Sequence, residues 1–183
     1  MVAKTFTGGA KLQSYLAELA KKADRSAVVS AGIPADAKYP DGTSVAMIAA
    51  IQEWGAPSRG IPPRPFFRPM VAEGEQHWGS DVANWLKAKN YDAVAALTEV
   101  GHQMEDELRE SIIAVTSPAL SPVTLLLRER FWTNPQDIKF SDVSQAREDI
   151  ASGITPDVTG TQSHPLMWTK TMFDSIKSMV DAK

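Results

Sequence analysis

Apolar residues return every three or four positions through most of this chain, and prolines and glycines cut the pattern into short elements. Leu12, Tyr15, Leu16 and Leu19 share one stripe, with Lys11, Lys21 and Lys22 off it, so residues 10–23 are predicted helical after the Gly8-Gly9 pair. The short, partly β-branched run Ala27–Ile33 stops at Pro34 and reads as a strand. Residues 34–42, with two prolines, two aspartates and a glycine, form a loop that is either a hairpin tip or a disordered flap. Thr43 or Ser44 can cap a helix over 45–54, whose two apolar faces are Val45/Ile48/Ala49 with Gln52 and Met47/Ile51/Trp54. Gly55 ends it. Ile61–Pro69 holds four prolines in nine residues and is predicted to be extended.

Helical character resumes over 70–89 through Trp78, Val82, Trp85 and Leu86, weakens at Gly74 and Gly79, and breaks around Asn90-Tyr91. Residues 92–115 carry the strongest helical pattern, with Val94, Leu97, Val100, Met104, Leu108 and Ile112 on one face and Glu99, Asp106, Glu107 and Glu110 largely off it. Residues 117–122 read as a turn, and 122–130 as a short helix capped by Ser121. Residues 131–163 are poorly periodic and read as an insertion with a single helical turn near 143–150. Helical spacing returns over 164–179 through Met167, Met172, Phe173 and Ile176. The predicted class is therefore α+β: a helix-rich single domain over 1–183, with a small β-sheet and an extended Pro-rich arm over 55–69.

Composition narrows the function. The 183 residues carry a net charge of −3, with no run of basic residues longer than Lys21-Lys22, so no stripe for gripping nucleic acid is visible. The absence of cysteine excludes disulfides, thiolate metal sites and cysteine nucleophiles. No apolar run reaches the roughly 18–20 residues that span a bilayer, and the first twenty residues show no secretory apolar core. The expectation is a protein made in a cytoplasm.

Catalytic signatures are weak. Glu73/His77 and His102/Asp106 are each spaced to share a helix face, yet there is no HExxH pattern and no third ligand placed by spacing. A small metal-dependent enzyme using His77, His102 and nearby acids is the alternative reading. No GxSxG elbow or phosphate-binding loop occurs. The acids of 105–110, with Arg109 among them, read as a solvated face with i,i+4 pairing. No cofactor is implied.

The arm is a better candidate. Prolines pre-order its backbone and so lower the entropy lost on binding. Arg64 and Arg68 offer forked donors, and in an extended arm Phe66 and Phe67 face opposite sides, one to the chain's own core and one to a partner. Pro62 and Pro65 satisfy a PxxP pattern, so a ligand for a proline-recognising domain is a further reading. The residues singled out for a subunit or partner interface are Trp54, Ile61, Pro62, Arg64, Pro65, Phe66, Phe67, Arg68 and Trp132, the last because it sits inside the polar insertion.

Three blocks carry a resemblance: a helix ending in EWG followed by IPPRPFFRP (45–69), LRESI followed by SPALSPVTLLLR (108–128), and HPLMWTKTMFDSI (164–176). Their order resembles that of the head–tail joining and tail-completion proteins of tailed bacteriophages, the group with minor tail protein Z-like and related tail-component proteins. Where that family usually has glycine in the third block this chain has Lys170, so the helix is expected to run straight through. The chain also ends soon after Met179, which leaves little room for the closing strand that such proteins often have. The resemblance implies a non-enzymatic virion protein of the neck or upper tail, assembled in the host cytoplasm. Its partners would be other copies of itself in a ring, commonly a hexamer, and adjacent neck and tail-tube proteins. DNA would only pass through the channel, and no membrane is involved.

Overall fold

A computed structural model describes residues 9–23 and 26–182; Gly8 and the rest of the first eight residues lie outside them. Among the described residues eight α-helices and two strands follow in order: α1 (Gly9–Ala23), β1 (Ala27–Gly32), α2 (Val45–Trp54), α3 (Phe67–Gly74), α4 (Trp78–Ala88), α5 (Ala93–Ala114), α6 (Pro122–Arg130), α7 (Phe140–Ala151), α8 (Thr171–Asp174) and β2 (Lys177–Ala182). The class is α+β, helix-rich with one two-stranded antiparallel sheet. The backbone groups into two compact units that alternate along the chain. One contains the described residues up to 31, 74–104 and 178–182; the other contains 32–73 and 105–177. The long helix α5 contributes to both.

The first unit holds α1, most of the sheet, α4 and the first turns of α5. Ala96 and Val100 of α5 are fully buried. Gly101, next on the helix, is where the sheet comes closest: a Cβ there would lie 2.7 Å from Ser178 Oγ in β2 and 3.2 Å from Val29 in β1. Only glycine lets helix and sheet approach so closely. The helix break expected at 90–91 is a turn in which both Asn90 and Tyr91 take positive φ. The apolar stripe of α1 is formed but left uncovered: Leu12, Tyr15 and Leu16 are all exposed.

The second unit holds α2, α3, the last turns of α5, and α6 to α8. Ser44 caps α2 by accepting the Met47 N–H, and Val45 and Ala49 turn inward while Met47 and Trp54 turn outward. Residues 34–44 form a hairpin-like turn closed by the isolated Lys38–Ser44 bridge. The acids at the start of this part of α5 pair as their spacing suggests, Arg109 reaching Glu105 at 3.2 Å and Asp106 at 2.9 Å.

Three expectations are corrected here. The segment 131–163 holds more helix than the single turn expected near 143–150: that turn is part of the 12-residue α7, whose Ala146 packs with Leu126 and Leu127 of α6. Its apolar positions Val143, Ala146 and Ile150 are few and separated by polar residues, so their helical spacing is faint without the α6 surface that they meet. The region 164–179 is not one helix. Only Thr171–Asp174 is helical, and residues 177–182 form β2, the partner of β1. Nor does the chain run straight through Lys170, which takes a left-handed conformation at φ 58° and starts α8. The tight turn is made here by lysine, which bears the strain of the left-handed conformation. Lys170→Gly is therefore expected to stabilise the protein by about 1 kcal/mol, read as a rise in the urea midpoint at unchanged slope.

Candidate functional site

The arm is built from α2 outward. Gly55 leaves the helix at φ 75°, and a Cβ there would stand 2.8 Å from the Pro63 nitrogen, so only glycine permits the reversal that brings the arm back along α2. Ala56 and Ile61 close the link by a pair of backbone hydrogen bonds, and the Arg64 N–H then donates to the Gln52 carbonyl at 2.6 Å. Extension lasts only to Phe66. Helix α3 starts at Phe67 and takes Pro69 into its first turn, where the missing N–H has no intrahelical partner to lose.

No Ser, Thr, Asp or Asn precedes α3 to cap it, and the cap comes from α2. The buried Glu53 carboxylate accepts the N–H groups of Phe66 at 2.7 Å, Phe67 at 2.9 Å and Arg68 at 3.2 Å, and the Arg68 Nε at 2.7 Å. Burial pushes the Glu53 carboxyl up, but the donors from Phe67, the Arg68 side chain, Phe66 and the Arg68 backbone outweigh it and hold the group below the usual carboxylate range. A negative charge at a helix N-terminus is also favoured by the helix dipole. Arg68, braced by Glu53, lies over the Trp54 ring at 4.1 Å from its centroid.

The residues singled out from the sequence therefore divide. Trp54 is 63% exposed, Arg68 is about half exposed, and Pro62, Pro65 and Phe67 also reach the surface. Ile61 is half-buried. Arg64 and Phe66, at 8% and 2% exposure, are taken inward and are not available to a partner. The Arg64 Nε donates to the Pro118 carbonyl at 3.1 Å, and the Phe66 carbonyl accepts from the Ser111 hydroxyl at 2.5 Å. Phe66 is buried, while Phe67, the first residue of α3, is 37% exposed. Trp132 is exposed on the segment after α6.

The chain matches no protein-family model, no curated protein and no solved structure.

The residues of the alternative enzyme reading lie elsewhere. His77 Nδ1 is 2.7 Å from Asp81, and Gln103 donates to the same carboxylate at 2.9 Å. The hydrogen bonds from His77 and Gln103 hold Asp81 below the usual carboxylate range. His102 is exposed on α5. Among the described residues no three His, Asp or Glu side chains converge as a metal-binding group.

Two functional candidates carried no signal in the sequence. Glu53 is one; the only hint is a helix at 67–74 with no cap of its own. Arg128 is the other, an arginine directly after the leucine run of α6 that is only 5% exposed.

Proposed function

We propose that this chain is a non-enzymatic structural subunit of a tailed-phage virion, of the neck or tail-completion type. Copies of it form a ring at the top of the tail and meet adjacent neck and tail-tube proteins, while DNA passes through without being gripped. The observation that carries this reading is the exposed Trp54–Arg68 pair, held rigid by the buried Glu53 beside an arm that is already ordered. Tryptophan and arginine dominate binding hot spots, and a surface fixed before contact loses little entropy on docking. The uncovered stripe of α1 adds a second apolar face, and a closed ring needs two unlike faces on each subunit. Among the described residues no helix is long and apolar enough to cross a membrane.

The test is electron microscopy of particles from a phage with a stop codon in this gene, complemented from a plasmid. Without complementation, full heads and unattached tails are expected. Wild-type protein should restore joined particles. Trp54→Ala, a change at an exposed site that leaves the fold intact, should restore few of them. Intact infectious virions without the protein would overturn the reading.

A further inference from the structure

Helix α1 stands almost bare. Of residues 9–22 only Leu19 and Lys22 are partly covered, and every other one is exposed. Lys22 ties the helix to its own chain, donating through Nζ to the Asn90 carbonyl at 3.3 Å. A helix of 15 residues is marginal in water without packing to support it. Yet the apolar side chains of α1 are sorted onto one face: at a helical repeat Leu12, Tyr15, Leu16 and Leu19 fall within about 100° of one another around the axis. Single exposed leucines are ordinary on a protein surface, whereas a sorted stripe on a helix with so little packing of its own calls for a cover.

The stripe matches itself. Its four positions are symmetric about the midpoint between Tyr15 and Leu16, because Leu12 lies as far before that point as Leu19 lies after it. A second copy laid antiparallel, about a two-fold axis through this midpoint, sets Leu12 against Leu19 of the second copy and Tyr15 against its Leu16. That is the self-complementary pattern of an isologous contact.

The flanks favour the same arrangement. Lys11 and Glu18 border the stripe on one side, and Gln13 and Ala20 border it on the other. In an antiparallel pair each flank meets its own counterpart, so Lys11 of each copy comes beside Glu18 of the other, twice over. In a parallel pair the charged flank meets Gln13 and Ala20, and that attraction is lost. Antiparallel axes also bring opposite ends of the two helix dipoles together. Lys22 lies on the charged flank too, but it is drawn to Asn90 of its own chain.

We propose that two copies of the free chain pair through α1, antiparallel, with the Leu12, Tyr15, Leu16 and Leu19 stripes face to face. The inference stands on α1 alone and does not depend on the virion reading; a ring that uses the stripe would first open the pair. Four side chains per copy make a contact well below the standard interface of about 1,600 Å². The pair is therefore weak, with a dissociation constant of about 10–100 μM.

Sedimentation equilibrium of the full chain, from about 10 μM to about 1 mM, tests the pairing. The mean mass should rise towards that of two copies. Leu16 enters each pair twice, so Leu16→Ser should weaken it at least about tenfold. Because Leu16 is exposed in the single chain, the urea midpoint should stay unchanged. Disulfide trapping reads the direction, and a chain without native cysteine makes it clean. Leu12→Cys and Leu19→Cys chains, one of them ¹⁵N-labelled, are mixed and oxidised. Mixed disulfides should predominate, since in the antiparallel pair identical positions lie roughly 10 Å apart along the axis, beyond the ~7 Å between Cα atoms that a disulfide can bridge. A majority of disulfides between identical positions, an equal rise in mass for Leu16→Ser, or a chain still single at the highest concentration would overturn the proposal. A single chain that pellets with phosphatidylserine vesicles would overturn it in favour of a membrane-binding face.

Discussion

Glu53→Ala is expected to lower stability by about 3–4 kcal/mol and to detach the arm from α2. One buried carboxylate serves three backbone N–H groups and the Arg68 side chain. Each backbone donor left without an acceptor costs on the order of 1–3 kcal/mol, reduced here because Arg68 is half in solvent. Urea unfolding monitored by tryptophan fluorescence measures the loss. Glu53→Gln keeps one acceptor oxygen and should cost less.

The same residue sets an acid dependence. Its folded pKa lies below its ordinary value of 4.5, so its contribution to stability is fully present above about pH 4.5 and disappears as pH falls through the folded pKa. The wild-type unfolding free energy should fall with acidification in that window, and Glu53→Gln should flatten this slope. An unchanged slope in the glutamine variant would mean that the carboxylate charge is not what holds the arm.

The second large effect belongs to two adjacent isoleucines of α5. Ile112→Ala should cost about 3–4 kcal/mol, and Ile113→Ala should stay within about 0.5 kcal/mol of wild type. Ile112 is fully buried and Ile113 is 51% exposed, although they differ by one position on the same helix. Burial along α5 follows Ala96, Val100, Leu108 and Ile112, the four-residue spacing that keeps side chains on one face. A rotation of 100° per residue carries Ile113 off that face. Comparable losses from both changes would contradict the burial pattern.

Local order along this chain is written in local signals. Ser44 and Ser121 cap helices because their hydroxyls reach amides three residues on, and Gly55 ends α2 because the reversal there excludes a Cβ. The faces of α2 and α5 follow from periodicity alone. The strand at 27–32 was legible from β-branched residues and a stopping proline, but its partner at 177–182 was not: KSMVDA has little β-propensity, and pairing with β1 decides its conformation. Only one turn of helix α7 was legible for a similar reason, since few of its residues are apolar and their value depends on the α6 surface that they meet.

The site divides along the same line. The sequence by itself determined that residues 55–69 would be rigid, ordered by proline, and rich in the side chains that proteins use to bind each other. Only the tertiary structure decided which of those side chains remain outside. Arg64 and Phe66 found carbonyls, a hydroxyl and a core within their own chain, while Trp54, Phe67 and Arg68 did not go in. Glu53 and Arg128 became important through groups far from them in sequence, amides fourteen residues on and carbonyls more than thirty residues on. Spacing rules reach only as far as one turn or one pleat. A charge buried by distant segments takes its role from what those segments bring to it.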